Sequence, residues 1–202
     1  MIEEVKMNQA NIIEIKDIYS REEYKNQRKN LREKMVARKK NRRVDIGPHI
    51  TMYFENKDTI IHQINEMVYI ENGGVEQVKD EILAYNSLVP NGKELIATVM
   101  VEIDNPLKRT EFLNKMGGFE ETFNLTVNNI KIEGKAELDV DRTTADGKAS
   151  SVQFVHFQAD EKLIKNFKKI NSDVSVTINH PEYMHSTILK RETIEELSCD
   201  FI

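Results

Sequence analysis

The side chains best suited to chemistry near neutral pH are five histidines and one cysteine. The first histidine to consider closes the stretch RRVDIGPH, residues 42–49. There Arg42 and Arg43 offer the planar fork that recognises carboxylate or phosphate through two parallel hydrogen bonds. Gly47 permits close backbone approach beside His49. With Gln63 from the following segment, these residues form a candidate anion-binding set. A structural arrangement competes with it, in which both arginines pair with carboxylates and Gly47-Pro48 makes a bend.

His62 and Glu66 stand four residues apart, which puts them on one helix face. Joined by His49 and Glu55, they make a donor set of two histidines and carboxylate that suits iron or zinc in a metal-dependent enzyme. A solvated helix face produces the same spacing. His180 precedes Pro181, which steers it away from helical geometry and presents its imidazole at a strand end. With Tyr183 it is a candidate acid–base pair, and a hydrogen-bonded structural histidine is the competing reading. Cys199, in EELSCDFI, has no basic neighbour to activate it. No Ser/His/Asp or Cys/His order supports nucleophilic catalysis, and the glycines miss the Walker and Rossmann spacings.

These residues lie in a chain whose charge is segregated. Residues 21–43 hold 11 Lys/Arg against 3 Asp/Glu, a local charge of +8, while the remainder holds 18 against 31, or −13, for the stated total of −5. A +8 helix is able to contact several phosphates in a salt-sensitive way. The acidic whole and the scarcity of interleaved aromatics argue instead for a solvated helix face that pairs with the acidic remainder of the chain or with an acidic partner protein. One cysteine excludes an intrachain disulfide and fits a reducing compartment. The acidic start MIEEV lacks the features of a signal peptide, and the longest apolar run, LIATVMV, is far short of the roughly 20 residues of a membrane helix. A cytoplasmic protein without a membrane span is expected.

The positioning elements follow from periodicity. Tyr24, Leu31 and Met35 at helical spacing predict a basic helix from about Arg21 to Arg43, and ITMYFE predicts a strand. Asp58 is a suitable N-cap for a helix through Ile70, and VEQVKDEILAY predicts another. ELIATVMVEI reads as a central strand covered on both faces. Asn105-Pro106 and Gly117 bracket a helix over 106–116. The Asn128-Asn129 pair predicts a type I′ hairpin, and Asp160 caps a helix over EKLIKNFKKI. The strand DVSVTIN and a helix near 191–198 complete the list. A loop over 139–150 joins the hairpin to the strand SVQFVHFQ. The sum is α+β with a mainly antiparallel sheet of about five or six strands. It is expected as a single domain over 1–202, with a basic helical segment (1–43) ahead of the core (44–202).

Several strings then fall in a specific order: RR-x-x-x-G-P-H, F-E-N, Q-x-x-E-M and H-P-x-Y, together with YNSLVPNGKELIATVMVEI and SSVQFVHF. In these the chain resembles, from about Lys16 to its end, the bacterial family called domain of unknown function 3501. That family has no assigned reaction, and its members are often encoded beside rubrerythrin and an iron–sulfur oxidoreductase-like protein. The resemblance implies an accessory or binding protein near redox or peroxide metabolism. It would use the Arg42/Arg43/His49 region for an anionic ligand or an acidic partner, such as a rubrerythrin-like or iron–sulfur protein. His62 and His156 depart from the family's pattern, which sets the His/Glu metal set apart from anything family-wide.

Overall fold

Lys, Arg, Glu and Ala fill residues 21–40 and lose little side-chain freedom in a helix, so Arg21–Lys40 forms α1. Ser20 and Glu23 start it as a capping box: the Ser20 N–H and hydroxyl reach the Glu23 carboxylate at 3.0 and 2.6 Å, and the Glu23 N–H reaches back to Ser20 Oγ at 3.4 Å. The computed structural model describes residues 12–137, 143 and 147–202.

The described chain divides into two units, the described part of Met1–Lys40 with Glu55–Asn91, and Asn41–Phe54 with Gly92–Ile202. Helix α1 therefore shares a unit with α2 (Lys57–Ile70) and α3 (Val75–Tyr85), whereas the sequence set it apart as an N-terminal segment. The cap of α2 is Asn56 rather than Asp58. Asn56 Oδ1 accepts from the Thr59 N–H at 3.0 Å, and Thr59 Oγ1 accepts from the Asn56 N–H at 2.9 Å. That frees Asp58 to pair with Arg38. At the other end of α2 the left-handed residue is Asn72, φ 59°. The Gly73 N–H closes the turn onto Val68 C=O at 2.9 Å.

Among the described residues, the second unit holds nine strands in two sheets, all registered pairs antiparallel. The strands are β1 (Arg43–Ile46), β2 (Ile50–Glu55), β3 (Glu94–Val101), β4 (Phe123–Val127), β5 (Ile130–Glu133), β6 (Lys135–Ala136), β7 (Val152–Gln158), β8 (Val174–His180) and β9 (Tyr183–Ile188). The first sheet runs β1-β2-β3-β7-β6 and the second β5-β4-β8-β9. The fold is α+β, as the sequence predicts. β3 is central in its sheet and buried along both faces except at Met100. The hairpin β4–β5 turns through Asn128 and Asn129 at φ 47° and 70°, as a type I′ turn requires. Leu95, Val99, Val155 and Phe157 from one sheet and Phe123, Leu125, Val176 and Ile178 from the other share one core. Helices α4 (Pro106–Leu113), α5 (Glu161–Phe167) and α6 (Arg191–Ser198) add Leu113, Leu163, Phe167, Ile194 and Leu197 to it.

Several boundaries differ from expectation. α4 stops at Leu113, and the left-handed glycine is Gly118, φ 77°, rather than Gly117. α5 ends at Phe167, which leaves Ile170 exposed instead of on an apolar stripe. The short strands β1, β6 and β9 go beyond the five or six expected. Most of the loop expected over 139–150 lies outside the described residues.

The two sheets meet where β1 and β9 run beside each other. Tyr183 OH donates to Ile46 C=O at 2.7 Å and accepts from the His49 N–H at 3.0 Å, and Thr187 Oγ1 donates to Asp45 C=O at 2.7 Å. Gly47 turns here with φ 68°, and a Cβ on it would lie 2.6 Å from both Tyr183 Oη and His185 Cγ. Tyr183→Phe leaves a backbone donor and an acceptor without that partner, so urea unfolding should show a loss of about 1–3 kcal/mol. Gly47→Ala, which combines a clash with left-handed backbone, should cost at least as much in the same assay.

Candidate functional site

The two arginines of RRVDIGPH diverge. Arg42 is buried to 1% exposure, with Nε donating to Phe54 C=O at 2.9 Å, Nη1 to Glu196 at 3.1 Å and Nη2 to Asp200. Arg43 is exposed, 3.0 Å from Asp45 and 3.4 Å from Glu102, and its guanidinium lies 5.8 Å from the Tyr53 ring. Glu102 also accepts from Tyr53 OH at 2.7 Å and Thr51 Oγ1 at 2.8 Å. His49 is half-buried against Phe112 edge-on at 5.4 Å and Tyr183 at 6.4 Å. The unit containing Arg42, Arg43 and His49 thus points the first at the C-terminal carboxylates, the second at a surface cluster and the third at an aromatic pair. Gln63 is half-buried on α2 in the other unit.

Glu66, the carboxylate of the metal donor set, has partners of its own. Arg28 grips it with both prongs, Nε at 2.9 Å and Nη2 at 2.8 Å, and Tyr24 OH donates to it at 2.7 Å. The Arg28 bond, working against burial, holds its pKa down at about 2. Burial first, and the nearby Lys39, Arg32 and Arg28 cations after it, push the His62 imidazole below its ordinary range. Glu55 is buried and accepts from Thr59 Oγ1. Among the described residues no group of three His, Cys, Asp or Glu is placed to hold a metal ion.

His180 is buried at the end of β8 with both nitrogens engaged. Its Nδ1 accepts from the Glu182 N–H at 3.3 Å, which leaves Nε2 to donate to Gly117 C=O at 3.3 Å. Tyr183 spends its hydroxyl on Ile46 and His49. This is the hydrogen-bonded arrangement that competed with the acid–base reading.

A cluster that sequence reasoning did not single out joins His156 to two carboxylates. Nδ1 lies 3.2 Å from Glu94 and Nε2 3.6 Å from Glu137, and Gln158 Nε2 donates to Glu94. Burial opposes the charged imidazole, but the Glu137 and Glu94 contacts outweigh it and lift its pKa to about 9. The only sequence signal was alternation, with inward Val155 and Phe157 on either side of His156. Its partners come from β3 and from the end of β6.

The first unit carries a cationic surface. Lys25, Lys29, Arg32 and Lys34 on α1 are exposed, and none has an ion-pair or hydrogen-bond partner among the described residues. Arg21 and Arg28 lie over the Tyr69 ring at 4.9 and 4.8 Å. The seam between α1 and α2 is flanked by two hollows. One, open and about 640 Å³, is lined by Lys25, Arg28, Lys29, Arg32, Val36 and Tyr69, with Glu33 as its one acidic residue. The other, about 290 Å³, has Leu31, Lys34, Met35 and Arg38 of α1 facing Ile61 and His62 of α2.

The sequence model of the family described as protein of unknown function DUF3501 matches residues 12–201. The chain belongs to this family. Among solved structures, a novel protein of unknown function from Burkholderia pseudomallei is similar, with a TM-score of 0.87 at 28% identity, covering 94% of this chain and 99% of that one. No curated protein matches. Among the described residues of this DUF3501 chain, no helix is long and apolar enough to cross a membrane.

Two measurements test these assignments in the DUF3501 chain. Arg42→Met removes the buried guanidinium that Asp200 and Glu196 bind, and the loss in urea unfolding should be about 3–5 kcal/mol. His156 gains its proton in the folded state, so its contribution is complete below the unfolded pKa near 6.5 and disappears as pH rises through about 9. The urea midpoint of the native chain should fall across that window relative to His156→Gln, and parallel curves for the two would refute the assignment.

Proposed function

We propose that the chain is a binding protein whose α1 surface docks an acidic partner. The observation that carries this reading is the open hollow in which Lys25, Lys29 and Arg32 stand in water beside an Arg28 already fixed by Glu66 and stacked on Tyr69. A cation held in place by an internal carboxylate loses less freedom on meeting a partner than a free side chain does. The neighbouring lysines supply long-range attraction, and Tyr69 with Val36 supplies apolar contact. Arg42, internally paired and buried, belongs to the fold in this reading, and the cations of α1 take over the role that the sequence gave to the Arg42/Arg43 region. A rubrerythrin-like or iron–sulfur protein is the first partner class to test, on the family resemblance alone.

The test titrates the full chain with a purified rubrerythrin-like protein and an iron–sulfur protein at about 10 mM and about 150 mM salt, between which the screening length falls from about 30 to about 8 Å. Binding should weaken strongly at the higher salt and be lost in the triple variant Lys25→Gln, Lys29→Gln, Arg32→Gln. Equal binding by that variant would refute the α1 surface. A duplex DNA fragment that binds at low salt more tightly than either protein would transfer the surface to nucleic acid.

A further inference from the structure

We infer that the smaller hollow beside the α1–α2 seam is a binding site for an organic monoanion with an apolar tail, of the class of a medium-chain carboxylate. It goes beyond the acidic-partner reading, because a different set of α1 residues lines it.

The floor is apolar. Leu31 and Met35 stand one turn apart on α1 and face Ile61 of α2, and all three are only half-buried, so the described residues do not complete their cover. Such a surface gains from an alkyl chain laid along it, and the flexible Met35 adapts to the chain's shape. The volume, about 290 Å³, is at the lower end of the range for small-molecule sites, roughly 300–1,000 Å³. It suits a compact ligand rather than a nucleotide or a peptide.

The rim sets the sign and size of the charge. Arg38 is already matched by Asp58, both on the lining. Lys34 has no ion-pair partner among the described residues, so the lining keeps one net positive charge. A phosphate monoester at about −1.5 to −2 would be only partly answered there, and a cation would be repelled, whereas a single carboxylate is balanced. Asn65 offers no recognition, since its Oδ1 accepts from the Tyr19 N–H at 3.1 Å and its Nδ2 donates to Ile61 C=O at 2.7 Å. His62 and Tyr19 remain as polar groups on the lining, and the His62 ring is able to donate to a carboxylate oxygen beside Lys34. Together these features describe a headgroup position at Lys34 and His62 and a tail position along Leu31, Met35 and Ile61.

Isothermal titration of the full chain with butyrate, hexanoate and octanoate tests this, with octylamine, octanol, acetate and inorganic phosphate as comparisons. Affinity should rise about two- to fourfold for each added methylene, in line with the burial of alkyl surface. Octanoate should exceed both octanol and octylamine by at least about threefold. Lys34→Gln should erase the advantage of octanoate over octanol without changing the melting temperature, because Lys34 is exposed. Leu31→Gln should remove the dependence on chain length. The triple variant at Lys25, Lys29 and Arg32 should bind octanoate as the native chain does, which separates this site from the partner surface. Equal affinity for octylamine, no gain from acetate to octanoate, tighter binding of phosphate, or an unaltered profile in both Lys34→Gln and Leu31→Gln would each overturn the assignment.

Discussion

A guanidinium taken out of water keeps its charge, and its donors must be answered wherever the chain puts it. Arg42 is almost fully buried, and its partners include Phe54 C=O in β2, Glu196 in α6 and Asp200 beyond it. This obligation fixes the C-terminal helix against the strand hairpin that opens the second unit. Removing the guanidinium from such a group is far more costly than losing a surface pair. The turn at Gly47 and the Tyr183 hydroxyl bond follow in the same hairpin, and they join β1 to β9 and so one sheet to the other.

The first unit handles its excess positive charge differently. Arg28 and Tyr24 are both drawn onto Glu66, and Arg38 onto Asp58, which ties α1 to α2 along a seam with Tyr24 at its buried centre. Lys25, Lys29, Arg32 and Lys34 stay in water on either side of that seam. Two hollows result, one rich in cations and open, the other smaller with an apolar floor. The protein holds some of its cations inside the fold and leaves others exposed.

Local chemistry was legible wherever a few adjacent residues dictate a backbone. Asn128-Asn129 supplies two left-handed residues, Asn105-Pro106 a cap and a first-turn proline, and Asp160 a cap for α5. The capping of α2 was misread because Asn56 and Asp58 are both good caps, and only the reciprocal bonds with Thr59 distinguish them. Strands β1, β6 and β9 were missed because two to six residues carry too little pattern. Each is specified by the strand it pairs with. The candidate residues were legible as types but not as partners. Arg42 and Arg43 look alike in sequence, yet one is buried and the other exposed.

The sequence by itself determined the α+β class, the basic helix, the central β3 and the capping and turn sites, since these depend on propensity, alternation and neighbours within about four residues. Tertiary structure alone decided which charges are spent inside the fold. Glu196 and Asp200 lie more than 150 residues from Arg42, Glu66 lies 38 from Arg28, and Glu94 lies 62 from His156. Whether a cation meets its carboxylate or meets water is a matter of distance and burial in three dimensions, and no local pattern encodes either.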